Sequence, residues 1–420
     1  VAGLSLAGVG LGIPGCASKK GGYDVVVIGG GFGGATAARY IRKLDSSLSV
    51  ALVEPEENYA TCPFSNLVIA GERSLGSVTQ SYQALGEAHG VEIIHDWVTT
   101  IDPDKQTVST KGGKTLGYEK LVVSPGIDFR FDEIEGYDET VAPDIPHAWK
   151  AGPQTLALRR QLEAMPDGGT FVMVAPPNPF RCPPGPYERA SLVAHYFQQQ
   201  KPSSKIVILD AKSAFSKQGL FEEGWRLRYG FGTDDSMIDW VSSTDGGKVV
   251  GIDAENREAR TEFGDAIQAD VLNVIPPQKA GWIAEQAGLT DDSGWCPVDQ
   301  QTYESTLLPN IHVIGDAAVA SPLPKSGYAA NSEAKVCAAA VVAQLRGETV
   351  GTPTWINTCY SLVAPDYGIS VAMVYEYRDG QTAKVDGAGG VSPLDAPANR
   401  PLEAGYARDW YVNITQDIWG

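Results

Sequence analysis

A strand, a glycine turn, a helix and a second strand follow one another at the start of this chain, and that order constrains the fold more than any other feature. Tyr23-Asp-Val-Val-Val-Ile-Gly29 is a continuous apolar run, as expected of a parallel strand buried on both faces. It leads into Gly29-Gly30-Gly31-Phe32-Gly33-Gly34 and a helix-prone stretch from Ala35 to Leu44. A second strand, Val50 to Val53, ends at Glu54. Order and spacing match the dinucleotide-binding fingerprint. Gly29 permits the tight turn, Gly31 lets the backbone approach a pyrophosphate, and Gly34 lets the helix pack close to the strand. N–H groups at the helix start are expected to hold the phosphates. Glu54 is expected to accept from ribose hydroxyls.

The chain has 420 residues, enough for two or three domains with real cores. Basic residues number 33 and acidic residues 51, a formal net charge of −18. Such a surface repels phosphate backbones, so nucleic acid is excluded as a partner. Six cysteines are too few for a disulfide-held scaffold. The five histidines are scattered, and no metal site is expected. Residues 1–16 carry no charge and are mostly small or apolar, like the core of an export signal without its charged front. They fall short of the roughly 20 residues of a membrane span. A lipid anchor at Cys16 is the alternative. The expectation is export to the periplasm, with membrane contact only through this segment.

Two later segments point to FAD as the dinucleotide. Leu121-Val-Val-Ser-Pro-Gly126 is a strand ending in a small-residue turn. Asn310-Ile-His-Val-Ile-Gly315-Asp316 is a strand ending in Gly-Asp, with a helix expected near Ser332 to Leu345. Asp316 is expected to bond the ribityl chain. Together the three segments resemble the two-dinucleotide-domain flavoproteins of the disulfide reductase superfamily. The expected fold class is α/β, with two Rossmann-like dinucleotide-binding domains and a C-terminal α+β interface domain. Residues 21–136 and 277–349 would form the FAD domain, 137–276 a degenerate NAD-type domain, and 350–420 the interface domain. In the middle unit a helix is expected from about Thr155 to Met165, then the strand Thr170 to Val174. Instead of a second glycine fingerprint, residues 175–188 hold six prolines. Proline has no N–H to offer a phosphate. The next strand, Lys205 to Leu209, still ends in Asp210. The architecture is kept while use of a nicotinamide cofactor is lost.

The cysteines leave alternatives open. Cys62, eight residues after Glu54, is either a buried free thiol or a covalent anchor for the flavin. Cys182 and Cys359 are either unrelated thiols or a redox pair facing the flavin. Cys296 and Cys337 read as core residues. No CxxCH occurs, so no haem is attached through that motif.

At Gly29 to Gly34, Thr61-Cys62, Pro179-Phe-Arg-Cys182-Pro-Pro-Gly-Pro-Tyr-Glu188-Arg189, Gly294 to Asp299 and Asn357-Thr-Cys359-Tyr360, the sequence resembles the flavoprotein subunits of flavocytochrome c sulfide dehydrogenases. That resemblance spans about residues 22–420. It implies FAD bound covalently through Cys62 and a redox disulfide between Cys182 and Cys359. It further implies a base at Glu188 and an aromatic, Trp410, near the flavin. The implied reaction is oxidation of hydrosulfide to zero-valent sulfur or polysulfide. Electrons pass through FAD to a separate c-type cytochrome. The acidic run 131–140 is either a docking surface for it or a solvated face. A sulfide:quinone oxidoreductase is the nearest alternative. An electron-transfer flavoprotein with a structural disulfide is another.

Overall fold

The computed structural model describes residues 22–420. The export-like segment 1–20, with Cys16, lies outside the described residues.

The first unit is built around the strand Gly22–Ile28. Its Val25, Val26 and Val27 have no exposed surface, because parallel neighbours flank it on both sides. One neighbour is Val50–Val53 and the other Thr115–Val123. Ile311–Val313 joins the same sheet by pairing in parallel with Leu121 to Val123. A segment 190 residues downstream therefore completes this unit, which is why its sequence is discontinuous. The helix Phe32–Leu44 turns its small residues inward against the helix Gly327–Arg346. That second helix starts five residues before the expected Ser332. Ser326 Oγ accepts from Ala329 N–H at 3.1 Å, and this side-chain cap sets the start.

The middle unit repeats the scheme. Thr170–Ala175 pairs in parallel with Lys205–Asp210 and with Val271–Val274, and Ile238–Val241 extends the sheet. The preceding helix spans Pro153–Ala164, against the expected Thr155 to Met165. Pro153 tolerates the first turn because its missing N–H is not needed there. Thr155 Oγ1 accepts from Gly152 N–H at 3.2 Å. The proline-rich loop runs straight into the helix Gly185–Gln200, so strand–loop–helix–strand survives. In the acidic run Ile134 and Tyr137 are buried, while Asp132, Glu133, Glu135, Asp138 and Glu139 face solvent.

The C-terminal unit is an antiparallel sheet of Thr354–Ala364, Tyr367–Arg378 and Gln381–Val391, followed by the helix Asn399–Trp419. That helix buries Ala404, Ala407, Tyr411, Ile414 and Ile418, a helical spacing that gives it one apolar face. Its last turn returns to the first unit. Among the described residues no helix is long and apolar enough to cross a membrane.

Candidate active site

The glycine turn leaves no room for side chains at two points. Gly29 has φ +91°, and a Cβ there would sit 2.3 Å from the Ser124 carbonyl oxygen. A Cβ on Gly34 would meet the Gly29 carbonyl oxygen at 1.8 Å. Gly31 forms the N-cap of the helix, and a Cβ on it would lie 3.1 Å from the Tyr59 hydroxyl. Glu54 Oε2 accepts from Gly30 N–H at 2.7 Å and Oε1 from Glu56 N–H at 3.1 Å. Each carboxylate oxygen retains a lone pair for a further donor.

At the ends of the two other strands, Gly126 and Gly315 both have positive φ, +66° and +75°. Gly126 accepts from Gly281 N–H at 2.9 Å, and Gly315 N–H donates to Glu333 Oε2 at 2.7 Å. Asp316 Oδ1 is buried and has no partner. Burial pushes its carboxyl up, opposed by the Arg181 and Lys325 charges. A buried acceptor left bare costs roughly 1–3 kcal/mol, so the position calls for a donor. A ribityl hydroxyl is such a donor. The glycine cradle, this bare oxygen and the partnerless Trp410 Nε1 fit FAD.

The expected thiol site comes together from three units of the fold. Cys62, Cys182, Glu188, Cys359 and Trp410 line one cavity. Cys182 stands just before the helix Gly185–Gln200 at φ +56°, a conformation unusual for a residue with a Cβ. Two backbone bonds hold it there: its N–H donates to Lys325 O, and its carbonyl accepts from Gly185 N–H, both at 2.8 Å. Cys359 lies on the strand Thr354–Ala364, where Asn357 Nδ2 donates to its sulfur at 3.4 Å. Cys182 and Cys359 are both free thiols, so the expected disulfide is not formed in this structure. Burial, then the Glu188 carboxylate, pushes the Cys182 thiol up.

Glu188 occupies the first turn of its helix. Its Oε1 accepts from Leu362 N–H and its Oε2 from Asn66 Nδ2, both at 2.9 Å. Burial raises its carboxyl, against the pull of those two bonds and of the Lys217 and Arg189 charges. Cys62 donates to the Trp149 carbonyl at 3.3 Å, and Arg181 donates to the same oxygen. Trp410 stacks on Tyr328 at 6.4 Å and 17°.

Sequence reasoning did not single out Asn66, Arg181 or Lys217. Asn66 follows Cys62 by one helical turn and Arg181 adjoins Cys182, so proximity in sequence offered a signal for both. Lys217 offered none, since it lies 142 residues from Cys359.

At the end of the strand Lys205–Asp210 the side chains engage one another. Asp210 is fully buried, and its carboxylate accepts from Tyr187, Trp240 Nε1 and Lys212. Lys212 Nζ also donates to Pro176 O at 2.6 Å, anchoring the proline loop. Tyr187 stacks on Phe215 at 3.6 Å and 16°. Both oxygens of that carboxylate are thus engaged within the protein.

Residues 155–276 match the family model of the central part of the sulfide dehydrogenase [flavocytochrome c] flavoprotein chain. Residues 351–419 match the flavin-binding part of flavocytochrome c sulphide dehydrogenase, and 23–153 match pyridine nucleotide-disulphide oxidoreductases. The chain is similar to the sulfide dehydrogenase [flavocytochrome c] flavoprotein chain of Chlorobaculum thiosulfatiphilum, 68% identical over 44 residues, which is 10% of this chain and 92% of that sequence. It is 26% identical over 333 residues to the mitochondrial sulfide:quinone oxidoreductase of Mus musculus, covering 75% of this chain and 69% of that one. In fold it is similar to the sulfide:quinone oxidoreductase of Aquifex aeolicus, with a TM-score of 0.74 at 16% identity over 94% and 92% of the two chains. With its thiol cavity between matched segments, the chain belongs to the flavocytochrome c sulfide dehydrogenase flavoprotein family.

Proposed function

We propose that this chain is an exported sulfide dehydrogenase. It oxidises hydrosulfide at the Cys182–Cys359 pair and passes electrons through FAD to a c-type cytochrome. The observation that carries the reading is the shared cavity of Cys182, Cys359 and Glu188. The uncharged apolar segment 1–16 supports a periplasmic location.

The working form of the pair is the disulfide. Hydrosulfide, abundant near neutral pH, attacks one sulfur. The S–S bond breaks, the attacked cysteine becomes a persulfide, and the other leaves as a thiolate with the bonding electron pair. The sulfide sulfur is thereby oxidised by two electrons and the disulfide reduced. Glu188 exchanges the thiol proton, its carboxyl raised by burial beside Cys182. Arg181 and Lys217 supply positive charge around the anionic sulfurs. The 29–34 turn, Glu54, Gly126, Gly315 and Asp316 would hold FAD, with Cys62 as its covalent anchor and Trp410 beside it. When bound, FAD supplies a two-electron acceptor that releases electrons singly to a one-electron carrier.

Anaerobic titration with sulfide and then NADH, followed by flavin absorbance, tests this. Bleaching by sulfide alone is expected, because Asp210 and the proline loop leave NADH no site. Bleaching by NADH alone would refute the reading. The likeness to sulfide:quinone oxidoreductases favours a second acceptor, a quinone. Steady-state turnover with cytochrome c or with a short-chain quinone decides between the two.

A further inference from the structure

The peptide between Gly30 and Gly31 is held from the far end of the chain. Gly30 N–H donates to Glu54. The Gly30 carbonyl accepts from two side chains, Tyr82 Oη at 3.2 Å and Trp419 Nε1 at 3.3 Å. Trp419 is the penultimate residue, 389 positions later. Its ring is fixed edge-on to Phe32 at 5.2 Å and stacked on Tyr59 at 5.3 Å. The last turn of its helix is tied to the same unit. Asp417 accepts from Tyr40 at 2.7 Å and from Asn331 at 3.1 Å, and pairs with Lys335 at 2.8 Å. Arg39 donates to Gln416 O at 2.6 Å, and His89 Nε2 meets Gly420 O at 3.1 Å.

Peptide planarity gives these contacts a consequence. The Gly30–Gly31 bond is trans, so its carbonyl and the Gly31 N–H point in opposite directions. Two donors on the carbonyl therefore fix the Gly31 N–H, which turns away from Tyr82 and Trp419. A glycine pair without such anchors has more backbone freedom to lose on binding. We propose that Trp419 and Tyr82 are positioning residues for the dinucleotide. They pre-orient the Gly31 N–H as a donor to the cofactor pyrophosphate, and the C-terminal turn is part of the FAD site. This rests on the reading that the 29–34 turn holds FAD. It adds that tight non-covalent binding requires the C-terminal helix to be docked.

The test uses the flavin-loaded Cys62→Ser protein, in which release is reversible, and follows free-flavin fluorescence after dilution. Tyr82→Phe removes one donor and keeps its ring, while Trp419→Phe removes the other donor together with the pyrrole half of the indole. A net hydrogen bond of about 0.5–1.5 kcal/mol corresponds to a roughly two- to tenfold faster release for each variant. The double variant should exceed the product of the singles, because each donor partly covers for the other. The melting temperature of the flavin-free Tyr82→Phe protein should fall by no more than a few degrees, as for the loss of one buried hydrogen bond. Release at the parental rate in the double variant overturns the proposal. So does a flavin-free Tyr82→Phe protein that melts far below that limit, which would make the side chain merely structural. Native protein, with Cys62 intact, that purifies with no flavin sinks the FAD reading itself.

Discussion

Lys217 Nζ donates to the backbone carbonyl of Cys359 at 3.2 Å and to Ser361 Oγ at 2.9 Å. The start of a helix in the middle unit is thereby fastened to the C-terminal sheet beside a thiol. Burial pulls the ammonium below its ordinary value, and the neighbouring Cys359, Glu188 and Cys182 pull it back. Lys217→Met removes this charge from among groups that become anionic. Sulfide-driven flavin bleaching should slow at least about tenfold, the equivalent of one pKa unit of lost interaction. Lys217→Arg should recover part of the rate. Stopped-flow absorbance checks this, and an unchanged rate in Lys217→Met would show that the charge is irrelevant.

If Cys182 and Cys359 act as one pair, neither works alone. Cys182→Ser and Cys359→Ser should each abolish bleaching by sulfide, while dithionite still bleaches the flavin. A single variant that keeps the native rate would refute the pair.

Cys62 should keep the flavin on the polypeptide through denaturation. Flavin fluorescence should migrate with the native protein on a denaturing gel and be lost from Cys62→Ser. Complete release from the native protein would end the covalent reading.

Glu333 accepts from Gly315 N–H in the turn beneath Asp316, and burial pushes its carboxyl up to about 8 from the ordinary 4.5. The folded state therefore binds this proton more tightly than the unfolded state. The group's contribution to stability is complete below about 4.5 and is lost as the pH rises through about 8. The melting temperature should fall between pH 5 and 8.5, and Glu333→Gln should flatten that slope. Parallel slopes in the two proteins would contradict the assignment.

Much of the fold was legible because its signals are local. The run Tyr23 to Glu54 fixes strand, turn and helix within some thirty residues, and each glycine there answers a contact at van der Waals scale. Helix starts were less legible. The cap at Ser326 is one hydroxyl, and its effect depends on how the chain arrives from Gly315. The prolines at 176–186 showed that a phosphate cradle is missing. They did not show that Tyr187 stacks on Phe215 or that Lys212 pairs with Asp210 beside the loop, since those contacts need the folded sheet.

By itself the sequence determined the two parallel units, the fingerprint glycines, the loss of the second nucleotide motif and the cysteines worth watching. These follow from side-chain periodicity and from backbone chemistry that acts over a few residues. The sequence resemblance implied that Cys182, Glu188 and Cys359 meet, and the folded chain sets them in one cavity; only the tertiary structure decided that Lys217 stands behind Cys359 and that Trp419 reaches Gly30. Such contacts join residues up to 389 positions apart. No local pattern encodes them, because the loops between them are closed by burial of the core, to which most of the chain contributes.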